Sequence, residues 1–198
     1  LKSGVLVERR DGSHGGMLID AMGDGSVDDI MVFNNVHNEV LLSDGAGGYS
    51  RLDSGVLVER QDDSYAGLLI DATGDGSADD IMVFNYGQHN EVLLSDGAGG
   101  FSRLESGALV ERGDISHAGM LIDATGDGSA DDIMVFNYGK QRNEVLLSDG
   151  VGGYSRLESG GLVLLSDGAH FLRLESGALV ERQDDSNGGM LIDATGDG

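Results

Sequence analysis

The stretch "IDATGDGSADDIMVFN" occupies residues 70–85 and recurs unchanged at residues 122–137. A near copy, "IDAMGDGSVDDIMVFN", stands at residues 19–34, and its first part returns as "IDATGDG" at residues 192–198. Each complete copy places four aspartates within ten residues. Since like charges at short distance repel, the sequence raises the question of what offsets these carboxylates.

The copies mark an internal repeat. Aligned on the first aspartate of each acidic motif, the spacings along the chain are 51, 52 and 70 residues. The last spacing is long because a half unit without an acidic motif is inserted before the final one. The predicted divisions are the end of a preceding unit at 1–16, repeats at 17–60, 61–112 and 113–163, a half repeat at 164–182, and the start of a further repeat at 183–198.

Each unit has the pattern of short strands. Apolar runs rich in branched residues alternate with Gly, Asp and Asn, and no segment has the 3.6-residue period of an amphipathic helix. In the first unit, strands are expected near residues 17–20, 29–34, 39–43 and 49–58. Four strands in about 52 residues are typical of a β-propeller blade, whereas the coils of a β-solenoid are much shorter. The sequence therefore predicts an all-β fold of four-stranded antiparallel β-propeller blades in an incomplete ring.

Aromatic residues recur at two repeat positions, and we expect these side chains to pack blade against blade in the core. A further pair follows "VFN" in the variable turn, where we expect exposure. The core set is Phe33, Phe84 and Phe136 together with Tyr49, Phe101, Tyr154 and Phe171, and the exposed pair is Tyr86 and Tyr138.

Composition excludes several classes of partner. The net charge is −23 and the pI about 4.1, which argues against nucleic acid and against anionic membrane surfaces. There is no cysteine, so disulfides and thiolate metal sites are excluded. No apolar run reaches the roughly 18 residues of a membrane span. A divalent cation is the partner that the acidic surface favours, although acidity alone also serves solubility.

The acidic motif has the donor spacing of a calcium loop. Counted from Asp71, oxygen-bearing side chains stand at positions 1, 3, 5, 7 and 9, with Gly76 at position 6 for the turn. Calcium takes six to eight oxygen ligands, whereas magnesium retains several waters and zinc prefers Cys or His. An EF-hand is excluded because its position-12 glutamate is Met82 here. The alternative is a metal-free Asp/Gly turn.

"LIDATGDGSADDIMVF" at 69–84, followed by "EVLLSDGAGGFS" at 91–102, resembles the FG-GAP repeat and its relative the VCBS repeat. The resemblance covers essentially the whole chain. It implies propeller blades with calcium in the first hairpin loop, in extracellular or cell-surface proteins that include adhesion receptors and lectins. The implied ligands are Asp20, Asp24, Ser26 and Asp28; Asp71, Thr73, Asp75, Ser77 and Asp79; and Asp123, Thr125, Asp127, Ser129 and Asp131, with the serines ligating by their carbonyls. The aspartates at position 10, which are Asp29, Asp80 and Asp132, are expected to support the ligands or to cap strands.

The chain departs from this family pattern in three places. Position 3 of the first loop is Met22, a poor calcium ligand, so that site should be weaker. The half repeat lacks an acidic loop, and the last motif provides only Asp193, Thr195 and Asp197, which make a poor site. Family propellers have about seven blades, so the units here should form a fragment, an open arc or part of an assembly of several chains.

Three functions remain open at this stage. The first is a non-enzymatic, calcium-stabilised module for extracellular binding, cell adhesion or scaffolding. The second is a lectin-like, carbohydrate-binding propeller, and the third is a self-associating subunit that recruits other strands at its edges. An enzyme is not expected, because no nucleophile elbow, nucleotide loop or carboxylate pair outside the acidic loops is present. A glycan or protein ligand would meet the variable positions, unless these are simply unconstrained loop tips. They are His14, Tyr65, His117 and Asn187 and the turns at 35–37, 86–89 and 138–142.

Overall fold

The structure is a computed structural model. It describes residues 12–59, 63–111, 115–138, 143–157, 163–166 and 171–174. Within these ranges every regular element is a β-strand, so the prediction of an all-β fold is confirmed. No helix in this part of the chain has the length and apolarity that crossing a membrane requires.

The strands form three antiparallel sheets of four strands and one hairpin of two. Each four-stranded sheet is a meander in which the strands lie side by side in chain order. The first sheet contains β1 (Ser13–Ile19), β2 (Asp29–Asn34), β3 (Glu39–Ser43) and β4 (Tyr49–Arg51). The second contains β5 (Ser64–Ile70), β6 (Asp80–Asn85), β7 (Glu91–Ser95) and β8 (Phe101–Arg103), and the third contains β9 (Ser116–Ile122), β10 (Asp132–Asn137), β11 (Glu144–Ser148) and β12 (Tyr154–Arg156). The hairpin is β13 (Val163–Ser166) with β14 (Phe171–Leu174).

Two strand boundaries differ from the prediction. The first strand begins at Ser13 instead of residue 17, because the glycine-rich start of β1 pairs with β2 through an irregular register near Gly15. The fourth strand ends at Arg51, and the predicted continuation to residue 58 is wrong. There, Gly55 has φ of +120° and its carbonyl accepts hydrogen bonds from the backbone N–H groups of Val58 and Glu59, so the chain turns. Leu57 is thereby placed in the core.

The sheets pack face to face in chain order, and each junction uses opposite faces of two successive sheets. We call the face of the first sheet that carries Met31 and Phe33 its trailing face. We call the face of the second sheet that carries Ile81 and Val83 its leading face. The equivalent faces of the other four-stranded sheets have the same names. These four side chains share one buried cluster between the two sheets. The same arrangement recurs between the second and third sheets, where Phe84 packs with Val135. The predicted core role is confirmed for Phe33, Phe84 and Phe136, which are buried, whereas Tyr49, Phe101 and Tyr154 are only partly buried.

Glycine permits the close approach of sheets at each junction. A Cβ placed on Gly67 of β5 would lie 2.4 Å from Cζ of Phe33, and one on Gly119 of β9 would lie 2.3 Å from Cζ of Phe84. Real Cβ contacts at such distances do not occur, so the ring of each sheet occupies the space that a side chain on the next sheet would fill. The described residues form three successive four-stranded sheets and one hairpin, and they do not form a closed ring.

Candidate functional sites

The acidic loops connect the first two strands of each sheet and have the same backbone course. In the second sheet the loop runs from Asp71 to Asp79, between β5 and β6. Gly74 and Gly76 have φ of +73° and +91°, in the region that side chains with a Cβ avoid. The equivalent glycines of the other two loops also have positive φ. The loop geometry therefore depends on these glycine pairs.

The first aspartate of each loop accepts hydrogen bonds from the backbone of the loop itself. The N–H groups of Gly74 and Gly76 donate to the two carboxylate oxygens of Asp71 at 2.7 and 2.9 Å. Asp20 accepts two such bonds at 2.8 and 3.1 Å, and Asp123 accepts two at 2.7 and 3.1 Å. Charge-assisted bonds of this kind offset part of the carboxylate repulsion without any metal.

The aspartate at position 10 joins the loop to the third strand. In the second sheet, one oxygen of Asp80 accepts the N–H groups of Ala72 and Thr73 at 2.7 and 2.8 Å, and the other accepts the N–H of Ser95 at 2.7 Å. Asp29 and Asp132 make the same three contacts in their sheets, and all three residues are fully buried. Burial raises the pKa of the Asp80 carboxyl, while its three backbone donors act in the opposite direction. The expectation that these residues cap strands is confirmed.

The aspartate at position 9 behaves differently from the other three. In every loop its Oδ1 atom is buried and has no hydrogen-bond partner among the described residues; the three residues are Asp28, Asp79 and Asp131. A buried carboxylate oxygen without a donor is costly. The same atom lacks a partner in all three loops, in keeping with their near-identical sequences.

Each predicted ligand set lies within one loop, but the side chains of a set are not gathered into a metal site. The described residues contain no group of three or more acidic or histidine side chains close enough to hold a metal ion. The donors are all oxygens, which suits calcium, and the position-9 oxygens need a cation or a donor. Met22 is an exposed side chain at position 3 of the first loop, where the other loops have a threonine.

The tips of the first two acidic loops contact the following sheet. A Cβ on Gly23 would lie 2.1 Å from the backbone of Ala98, which belongs to the turn between β7 and β8. Likewise, a Cβ on Gly74 would lie 2.3 Å from the backbone of Val151. Only glycine allows these backbone contacts, so the loops are part of the sheet-to-sheet junctions.

A second candidate site is a column of rings from three sheets. His14 stacks on Tyr65 with 4.1 Å between centroids, Tyr65 on His117 at 4.4 Å, and His117 on Tyr138 at 5.0 Å. Tyr86 lies tilted against Tyr65 at 5.8 Å. The structure thus brings together five of the variable positions that the sequence singled out, and Tyr86 and Tyr138 are exposed as predicted. We call this set the ring column.

The ring column borders a trough of about 450 Å³. Its floor is made of small residues of the three first strands, including Gly16, Gly67 and Ala118. Beside it, the imidazole of His14 lies 3.3 Å from a carboxylate oxygen of Asp63. Burial raises the pKa of Tyr65, and the charge of Asp63 adds to that effect. An aromatic rim above a floor of small residues is a shape that can hold a ligand.

A buried polar chain joins the sheets below the ring column, and the sequence analysis missed it. The side-chain amide of Asn38 donates to Oγ of Ser64 at 3.0 Å, and that hydroxyl donates to Oδ1 of Asn85 at 2.8 Å. The next junction repeats this pattern, with Asn90 donating to Ser116 at 3.1 Å and Ser116 to Asn137 at 2.9 Å. The signal available was the constant serine before each variable ring and the constant asparagine after each variable turn.

Several predicted features lie outside the described residues. They are Asn187, the motif with Asp193, Thr195 and Asp197, and the turn at 139–142. A scan against protein-family models gives no match, and searches against curated proteins and solved structures give none either.

Proposed function

We propose that the chain is a calcium-stabilised β-propeller module of the FG-GAP and VCBS type, with a non-enzymatic role in extracellular binding, adhesion or scaffolding. Three meander sheets of one topology, packed face to face in chain order, support a propeller arrangement. The acidic loops lie at equivalent places in each sheet, as such a module requires.

The observation that supports calcium most directly is the unpartnered oxygen at position 9. Asp28, Asp79 and Asp131 each bury one carboxylate oxygen without a donor among the described residues. A bound cation supplies the positive charge that this oxygen lacks, and the side chains and serine carbonyl of the loop provide the further oxygens. Asp71, Thr73, Asp75, Ser77 and Asp79 would hold the ion in the second sheet, and the equivalent residues would do so in the others, with Met22 weakening the first site.

The expected energetic effect is large for a marginally stable fold. If Kd is about 10⁻⁴ M, as in extracellular modules, 1 mM calcium contributes about 1.4 kcal/mol per site by mass action. Three ions would change the formal net charge from −23 to −17. We therefore assign calcium to the stability of the fold and not to a reaction.

Calorimetric titration and thermal unfolding test this proposal. Titration of the metal-free chain should give two similar sites and one weaker site, and chelation should lower the melting temperature by several degrees. Asp79→Ala should remove one strong site, whereas Asp53→Ala, the same change at an exposed aspartate outside the loops, should remove none. No heat of binding, together with a melting temperature indifferent to chelator, would leave the loops as metal-free turns.

The ring column supports a second candidate function, carbohydrate binding. Rings from three sheets line one trough. Both faces of Tyr65 are covered by His14 and His117, so a glycan would meet ring edges and the polar N–H and O–H groups of these side chains. Tyr86 and Tyr138 are the exposed members of the ring column and contact the lining rings Tyr65 and His117 without lining the trough themselves. A glycan array with the wild-type chain and with the Tyr86→Ala/Tyr138→Ala double variant tests it, and binding that survives both changes places the recognition surface elsewhere.

A further inference from the structure

The first sheet-to-sheet junction, where the trailing face of the first sheet meets the leading face of the second, carries three polar side chains at one end of the ring column. They are His14 of β1, Asn35 in the turn after β2, and Asp63 just before β5. Nε2 of His14 lies 3.3 Å from Oδ1 of Asp63 and also contacts Oδ1 of Asn35. Two oxygens, one from each sheet, therefore converge on one imidazole nitrogen.

Hydrogen bonding within this group does not satisfy both oxygens. Nε2 carries at most one hydrogen, and a single N–H can point directly at only one of them. Oδ1 of Asp63 is a buried atom and makes no hydrogen bond within the described part of the chain. Turning the amide of Asn35 so that its NH₂ group faces His14 leaves Asp63 facing the lone pair of the ring nitrogen. A positive charge between the carboxylate and the ring nitrogen would stabilise this arrangement.

The spacing of these atoms matches that of two ligands on one metal ion. Zinc binds imidazole nitrogen and carboxylate oxygen at about 2.0–2.2 Å with tetrahedral angles, so two such ligands lie about 3.3–3.5 Å apart. Nε2 of His14 and Oδ1 of Asp63 are 3.3 Å apart. Stacking on Tyr65 at 4.1 Å holds the imidazole in this orientation. An ion can reach the two side chains from solvent, because 28% of His14 and 34% of Asp63 are exposed.

The donor set is specific to the first junction. The equivalent residues at the second junction are Tyr65, Tyr86 and Ile115, which offer no imidazole, amide or carboxylate. These are positions at which the otherwise similar repeats vary, so the set is not a by-product of the repeated acidic loops.

We propose that His14, Asp63 and Asn35 bind a divalent transition-metal ion of the Zn²⁺ type, which joins the first two sheets at the end of the ring column. The imidazole nitrogen and the carboxylate oxygen are its principal ligands, the amide oxygen is the third, and water completes the coordination. Imidazole nitrogen suits zinc, whereas calcium and magnesium take oxygen ligands, so this site is separate from the acidic loops. The net charge of −23 adds a general attraction for cations.

Titration of the full chain with zinc chloride, followed by the histidine ring resonances in NMR spectra, tests the proposal. Excess calcium is present throughout, so that any calcium sites in the acidic loops are already filled. Of the five histidines in the chain, His14 alone should shift with zinc. His14→Phe keeps a ring that can stack on Tyr65 but removes the nitrogen, and it should abolish zinc binding. Asp63→Asn should weaken binding by at least about tenfold, since even indirect partners of metal ligands contribute that much.

The matched control is His89→Ala, which removes an exposed imidazole from the equivalent turn of the second sheet and should leave zinc binding unchanged. Zinc should also raise the melting temperature of the wild type and of this control, but not that of His14→Phe. Three results would each overturn the proposal: no shift of His14 with zinc up to about 1 mM, equal shifts at several histidines, or unchanged zinc binding by Asp63→Asn with native circular dichroism. The first of these would leave His14 and Asp63 as a simple ion pair. The comparison holds whether or not the acidic loops bind calcium.

Discussion

The buried aspartate at position 10 gives the most direct test of how the loops are held. Asp80→Asn keeps the shape of the side chain but replaces one oxygen by an NH₂ group. Both oxygens of Asp80 are in use, one with the N–H groups of Ala72 and Thr73 and the other with the N–H of Ser95. Whichever way the amide is turned, at least one buried backbone N–H faces another donor.

Two effects of this change oppose each other. A buried donor left without an acceptor costs about 1–3 kcal/mol, and more when a second donor faces it. The neutral amide also avoids the cost of burying a charge, which is the cost that raises the pKa of Asp80. The hydrogen bonds should prevail, because three donors converge on this group, and we expect a net loss of about 1–3 kcal/mol in the free energy of unfolding. For a chain of this size each kcal/mol lowers the melting temperature by about 2–4 °C.

The matched control is Asp96→Asn in the turn between β7 and β8. There a single oxygen of Asp96 accepts the N–H groups of Ala98 and Gly100 at 2.9 and 2.8 Å, so an amide oxygen can replace it. We expect its melting temperature to fall by less than that of Asp80→Asn, because Asp96 is exposed and the change removes only the charge that strengthens these two bonds. Differential scanning calorimetry, with chelator present to exclude metal effects, compares the two. Equal melting temperatures for Asp80→Asn and Asp96→Asn would refute the role given to the buried carboxylate.

Four further outcomes are expected. Met22→Thr should tighten the weakest calcium site toward the other two, as measured by calorimetric titration. Ser116→Ala should cost about 1–3 kcal/mol in urea unfolding, because both amides that the hydroxyl bridges lose a partner. Gly119→Ala should cost about 1–3 kcal/mol, since its Cβ would displace the ring of Phe84. Backbone N–H groups hold the pKa of Asp44 and the pKa of Asp96 below their usual value. Each ionised aspartate therefore stabilises the fold above about pH 4, and this stabilisation is lost as pH falls through the lowered pKa of the folded state. A chain with asparagine at both positions should therefore lose less stability than the wild type as pH falls below about 4, as followed by melting temperature.

Sequence reasoning located the strands where side-chain alternation is clear. The run "DIMVFN" was predicted as a strand at 29–34, and β2 has those bounds. The start of β1 was missed because Gly15 and Gly16 have low strand propensity, and only pairing with β2 makes them extended. The run after Arg51 was read as a strand because "VLV" is apolar, whereas a glycine at positive φ turns the chain before it.

The candidate sites were predictable in composition but not in their contacts. The positions of the acidic residues and of the variable rings could be read from the repeat. That rings at two repeat positions gather into one column could not be read from it, since the stacking depends on the angle between successive sheets. The polar chain through Ser64 and Ser116 was missed because serine and asparagine are ordinary turn residues, and their burial follows only from the packing of the sheets.

The junctions between sheets also constrain how the number of repeats in this protein can change. Every described junction uses the same pairs, such as Phe33 with Gly67 and Phe84 with Gly119, so any sheet can follow any other. Recombination between copies can thus add or delete whole units of about 52 residues while every new neighbour still fits. A deletion within a unit removes one partner of each pair and leaves a ring facing an unmatched strand. Selection should therefore tolerate changes in repeat number far more readily than insertions of any other length.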